Sequence, residues 1–100
     1  MSAHSTSNTL ETTEAEDRRI ARNIAASLRR LFPYRRFLYT NPDEREASIW
    51  VREGWIDVAY RGPGLYEARL ERHKVTADTA RKAVEAVLEA QKTADESLAH

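Results

Sequence analysis

One hundred residues, with sixteen Lys or Arg balancing sixteen Asp or Glu and no cysteine, make room for one domain and exclude a disulfide framework or a thiolate metal site. No apolar run approaches the ~20 residues that cross a bilayer, and the N-terminus has no basic-then-apolar leader, so a soluble cytoplasmic protein without membrane association is expected. The zero net charge hides an uneven distribution: −4 over residues 1–17, +7 over 18–37 with no acid in that block, and −3 over the rest.

Residues 1–12, "MSAHSTSNTLET", are polar and rich in Ser and Thr, and are expected to form a disordered arm. Thr13 followed by Glu16 has the spacing of a capping box, and Glu14 and Asp17 add negative charge suited to a helix N-terminus. Ile20, Ile24, Leu28 and Leu31 then fall on one helical stripe, joined by Ala21 and Phe32, and Pro33 disfavours helical geometry in the residue before it. The spacing predicts a helix over 14–31.

Opposite that stripe, Arg18, Arg22 and Arg29 share a narrow arc with Arg19 and Arg30 beside them, and Arg35 and Arg36 follow just past the helix. Spaced guanidinium groups without acids suit phosphates or an acidic partner surface. The same residues also complete an ordinary solvated helix face, with Arg29 and Arg30 complementing the dipole at its C-terminal end.

"YRRFLYT" at 34–40 is aromatic and predicts a strand, in which either Leu38 or the pair Phe37 and Tyr39 faces the core. A loop at "NPDERE" leads to three further strands, "ASIWVR" (47–52), "WIDVAYR" (55–61) and "LYEARLERH" (65–73), separated by Glu53-Gly54 and Gly62-Pro63-Gly64. Val75 and Thr76 are expected to open a second helix, with Thr76 as cap, Val75 as a staple on Ala80, and Ala80, Ala83, Val84, Val87 and Leu88 as the apolar stripe to about residue 92. The expected fold is α+β, ordered α-β-β-β-β-α, an antiparallel meander with two helices packed mainly on one face. One domain would span 13–92, with a flexible tail at 93–100.

A two-residue turn at 53–54 pairs Val51 with Ile56 and Ile49 with Val58; a three-residue turn at 62–64 pairs Tyr60 with Tyr66, Val58 with Ala68 and Ile56 with Leu70. Both turns gather the apolar residues on one face, and a slip of one residue in either would mix polar with apolar. Trp50 and Trp55 then point to the opposite face as diagonal neighbours, among Arg52, Arg69, Asp57, Glu67 and Glu71. They either pack on each other and on the arginine stems or form a binding patch, since Trp and Arg dominate interface hot spots.

No constellation for catalysis is visible. His4, His73 and His100 lack ligand partners at metal spacing, Asp57 is expected to pair with Arg69 across strands, Gly62-Pro63-Gly64 is a turn, and Ser27 and Ser48 have no base nearby in sequence. Tyr34, Tyr39, Tyr60 and Tyr66 are assigned to core or sheet. No cofactor or metal is expected, and the protein is not expected to be an enzyme.

Over residues 47–92, the motifs "I-x-x-R-x-G-W" (49–55) and "V-T-x-x-x-A" (75–80) on three strands and a helix resemble the small arm-DNA-binding domains of tyrosine recombinases. That resemblance implies an open sheet face with Arg52, Trp50 and Arg69 as the matching contact residues, while Glu67 and Glu71 depart from it. The element order also resembles double-stranded-RNA-binding domains, without the Lys-rich start of their last helix; only Lys74 precedes Thr76.

The expectation is a small non-enzymatic binding protein that contacts nucleic acid through an Arg-rich helix face beside an aromatic sheet face, using Arg18, Arg19, Arg22, Arg29, Arg30, Arg35, Arg36 and Arg52. The alternative is a protein-binding regulator or inhibitor of phage or mobile-element type, using Trp50, Trp55, Arg52 and Arg69, with a homodimer as a variant.

Overall fold

A computed structural model describes residues 2–98, with side chains from 13 to 97. Helix α1 (Ser2–Leu31) leads into strand β1 (Leu38–Asn41), a single 3-10 turn (Pro42–Glu44), and strands β2 (Glu46–Val51), β3 (Gly54–Gly62), β4 (Leu65–Leu70) and β5 (His73–Ala77); helix α2 (Ala80–Leu98) closes the chain. The five strands form one antiparallel sheet in the order β1-β2-β3-β4-β5, a meander. No described helix is long and apolar enough to cross a membrane.

The fold class is α+β as expected, with one strand more. The segment expected to carry a long strand and then cap a helix instead folds back on itself. Glu71 takes a left-handed conformation (φ 55), reversing the chain at Glu71-Arg72, and β5 pairs with β4 through Arg69 and Lys74, Ala68 and Val75, and Glu67 and Thr76. Thr76 is therefore a strand residue, and the expected staple of Val75 on Ala80 gives way to Val75 packing against the core from the sheet. The cap of α2 is Thr79, whose hydroxyl accepts the Lys82 N–H at 3.1 Å.

Both helices are longer than their expected spans. Nothing between Ser2 and Leu31 is Gly or Pro, so Thr13 and Glu16 lie inside α1, not at its start, and Glu16 accepts from Arg19 at 3.1 Å. The arm expected at 1–12 falls on residues whose side chains lie outside the description, although its backbone is helical from Ser2. Helix α2 runs on from 92 to Leu98 through "TADESL", where Gln91 donates to Asp95 one turn on at 3.0 Å. The remaining tail residues, 99–100, are outside the described set.

The core lies between one face of the sheet and both helices. Ile24 and Leu28 of α1 and Ala80, Ala83, Val84 and Val87 of α2 are buried against Ala47, Ile49, Val51, Ile56, Val58, Ala68 and Leu70, and Ala21 of α1 is buried as well. Each fully buried Leu, Ile or Val contributes on the order of 1.5–3 kcal/mol relative to leaving it in water. Tyr60 and Tyr66 flank this layer as an edge-to-face pair, 5.4 Å between centroids.

The β3–β4 register is the expected one, Tyr60 with Tyr66, Val58 with Ala68 and Ile56 with Leu70. The β2–β3 register differs by two residues: Ile49 pairs with Ile56, Ala47 with Val58, and Trp50 directly with Trp55. The hairpin turns at Arg52-Glu53, and Gly54 carries the positive φ of 132. A Cβ there would sit 2.8 Å from the tip of the exposed Glu71 side chain, which can swing aside, so it is the positive φ that calls for glycine. A shift of two leaves every side chain on its expected face.

Candidate functional site: the open sheet face

The face opposite the helices carries the structural answer about the tryptophans. β1 presents Leu38 to the core and Tyr39 outward, which settles the ambiguity in that strand. The Trp50 N–H donates to the Phe37 carbonyl at 2.9 Å, extending the β1–β2 ladder by one residue and setting Phe37 beside Trp50. The outward rows are then Phe37, Trp50 and Trp55; Tyr39, Ser48, Asp57, Arg69 and Lys74; and Asn41, Glu46, Ala59, Glu67 and Thr76.

The first row and Tyr39 make a continuous aromatic surface. Trp50 and Trp55 meet edge-on at 5.4 Å, and Tyr39 leans across the small Ser48 to lie 5.7 Å from Trp55. All four rings stay wet: Phe37 is 54% exposed, Tyr39 57%, Trp50 43% and Trp55 39%. They alone line a shallow groove of about 330 Å³. Neighbouring exposed aromatics of this kind are costly to leave in water and common at contact surfaces.

The rest of the face is charged and bonds largely within itself, although the buried Arg69 Nε has no hydrogen-bond partner among the described residues. Glu46 accepts from Arg69 at 2.9 Å, and Glu67 accepts from Arg61 at 3.0 Å with Lys74 at 3.8 Å. Asp57 stands opposite Arg69 in the register but accepts from the Ser48 hydroxyl, so the expected Asp57–Arg69 ion pair is replaced by Arg69 bridging Glu46 and Glu67. The stems of these residues bury Ala59 completely on the open side. Burial pushes the Glu46 carboxyl above its ordinary range against the pull of Arg69. The hydrogen bond from Arg61 holds Glu67 below that range.

The helix part of the arginine block is on the other side of the molecule, while Arg35 and Arg36 directly precede Phe37 in the link to β1. Because Ile24 and Leu28 face the sheet core, Arg18, Arg22 and Arg29 point away from the sheet, and the aromatic surface lies beyond it. The arginine face of α1 and the aromatic face are therefore not adjacent. Part of the block is also in local use: Arg19 pairs with Glu16 at 3.1 Å, Arg29 donates to the Arg35 carbonyl at 2.9 Å, and Arg30 reaches Ser27 at 3.4 Å. Arg18, Arg22, Arg35 and Arg36 have no side-chain partner among the described residues. Arg35 and Arg36 occupy the exposed link between α1 and β1, with Tyr34, which is 95% exposed.

Arg52, at the β2–β3 turn, lines a recess on the helix side with Glu85, Glu89 and Lys92 and takes no part in the aromatic groove. Arg69 belongs to the charge network. Phe37 and Tyr39, which the sequence reading did not include, complete the site. Their alternation with Leu38 was visible in "FLYT", but its phase depended on the β1–β2 register. That register follows from the Pro42–Glu44 turn and the left-handed Arg45 (φ 51), whose guanidinium lies 5.5 Å from the Tyr60 ring centre.

A recess of about 670 Å³ lies between the β4–β5 turn and the end of α2, lined in part by Glu53, Glu71, His73 and Asp95. No group of three or more His, Cys, Asp or Glu among the described residues is placed to hold a metal ion. Comparison with known proteins finds no matching family model, no matching curated protein and no matching solved structure.

Proposed function

We propose that this chain is a non-enzymatic binding protein that captures a protein partner on the aromatic end of its open sheet face. The observation that carries the reading is that Phe37, Tyr39, Trp50 and Trp55, all half-exposed, line one groove, with Tyr39 and Trp50 packed on Trp55. Aromatic anchors of this type concentrate binding energy at protein interfaces. The neighbouring charges on that face, Glu46, Asp57 and Glu67 against Arg61, Arg69 and Lys74, cancel and bond with one another or with Ser48. A neutral face favours a protein surface over a polyanion.

The experiment is a selection of peptides or proteins against the wild-type chain and the Trp50→Ala and Trp55→Ala variants. Binding lost in both variants with the far-UV circular dichroism unchanged supports the reading; binding indifferent to both indoles removes it. Light scattering on the free protein tests the variant in which the partner is a second copy, which an isologous aromatic contact would favour.

A second reading is favoured by a separate observation: Arg18, Arg22, Arg35 and Arg36 are exposed and have no side-chain partner among the described residues. These residues would contact nucleic acid phosphates, and log affinity would fall steeply with log salt. A low-salt gel shift that leaves duplex and single-stranded nucleic acids unretarded would eliminate it.

A further inference from the structure

The chemistry of the aromatic groove narrows its partner further, and this inference rests on reading that surface as a protein contact. The rings are closed up against one another, Trp50 on Trp55 at 5.4 Å and Tyr39 on Trp55 at 5.7 Å. At these spacings the Trp50–Trp55 and Tyr39–Trp55 pairs leave no slot between their own ring faces for a quaternary ammonium. What they offer is a shallow ridged shelf lined by four aromatic residues alone.

The polar tips of that shelf point to the same class of ligand. The indole N–H groups of Trp50 and Trp55 and the Tyr39 hydroxyl have no hydrogen-bond partner among the described residues, so the shelf offers donors. A ligand backbone lying on it should present carbonyl acceptors. It should also bring few N–H groups of its own, because each one covered by the aromatic rings would be left without a partner.

Proline meets both conditions. It has a flat apolar ring, a carbonyl and no N–H, and runs of it hold a polyproline II helix whose carbonyls face outward. Such a segment is ordered before it binds, so little entropy is lost on docking. At the margin of the shelf, Arg35 and Arg36 precede Phe37 with their side chains unpaired among the described residues, which favours an acidic residue beside the prolines. We propose that the shelf formed by Phe37, Tyr39, Trp50 and Trp55 binds a proline-rich segment of a partner protein in the polyproline II conformation, with an acidic flank set against Arg35 and Arg36.

The test has two arms on the full chain. In the first, tryptophan fluorescence is titrated with an acetylated peptide of two aspartates followed by six prolines, and with the same peptide carrying lysines for aspartates. A saturable change is expected with the acidic peptide, at least about tenfold weaker with the lysine peptide and in Trp50→Ala. Tyr39→Phe, which keeps every ring and removes one donor, should weaken binding several-fold and covers the case in which Trp50→Ala does not fold. Absence of a saturable change with the acidic peptide overturns the proposal, as does equal binding of the two peptides.

In the second arm, a random peptide library is panned against wild-type and Trp50→Ala protein. Enrichment of proline-rich sequences that need Trp50 supports the proposal. Enrichment of Trp50-dependent sequences without proline overturns it and leaves the protein-contact reading standing. No Trp50-dependent enrichment overturns both.

Discussion

The two ends of the open sheet face grow from the same strands and differ in how their side chains are satisfied. At one end Glu46, Arg61, Glu67, Arg69 and Lys74 supply one another's partners and shield Ala59 beneath them. At the other, Tyr39 and Trp50 each touch Trp55, Phe37 lines the same groove, and all four keep roughly half of their surface in water. A charged surface that pairs internally gains little from a partner, since breaking its ion pairs offsets what new ones contribute. An aromatic surface gains from every ring covered. The contact surface is therefore expected at one end only.

The strongest way to break the comparison is to disturb the hairpin that sets the aromatic row. Gly54→Ala forces an alanine to φ 132 and should cost up to about 3 kcal/mol in urea denaturation. A variant as stable as wild type would show that the turn does not need glycine. Next in size, Trp55→Ala removes the ring touching both Tyr39 and Trp50. Partner binding should fall by about 2 kcal/mol, and the midpoint of unfolding should move much less because the ring is already partly hydrated.

Arg69→Ala probes the other end. It strips Glu46 of its guanidinium partner, and a stability loss of about 1 kcal/mol with unchanged partner binding is expected. A loss of binding equal to that of Trp55→Ala would extend the contact surface over the charged end. The paired substitution Glu46→Ala should recover part of the stability in a double-mutant cycle.

The smallest effect is on acid sensitivity. The folded pKa of Glu67 lies below its ordinary value of 4.5, so its stabilisation is present above the unfolded pKa and is lost as pH falls through the folded one. Glu46 is raised, so its contribution has the opposite sense: present below the unfolded pKa and lost as pH rises through the folded value. The two oppose each other on acidification. Glu67→Gln should therefore leave a shallower fall in melting temperature on the acid side of pH 4.5. An acid limb as steep as that of wild type would show that Glu67 is not the group responsible.

Much of this architecture was legible from local pattern. The Ile24 and Leu28 stripe, the Ala83, Val84 and Val87 stripe, and the inward set Ile49, Ile56, Val58 and Leu70 all follow from periods of 3.6 and 2. Outward indoles follow from the same alternation. Three things were not legible. β5 depended on Glu71 entering a left-handed conformation that few residues other than glycine adopt. The start of α2 depended on that turn, which moved the cap from Thr76 to Thr79. The membership of Phe37 and Tyr39 in the aromatic surface depended on how β1 met β2.

Through β2, β3 and β4, alternation in the chain by itself determined which side of the sheet each residue faces, because a slip of one position would drive charges into the core. It left the slip of two open, since that preserves every face, and only the assembled hairpin with its reversed glycine set Trp50 directly against Trp55. Tertiary packing also decided that the basic helix and the aromatic rings lie on opposite sides: one sheet face was taken up by helices, and the arginines went with the helix that covered it.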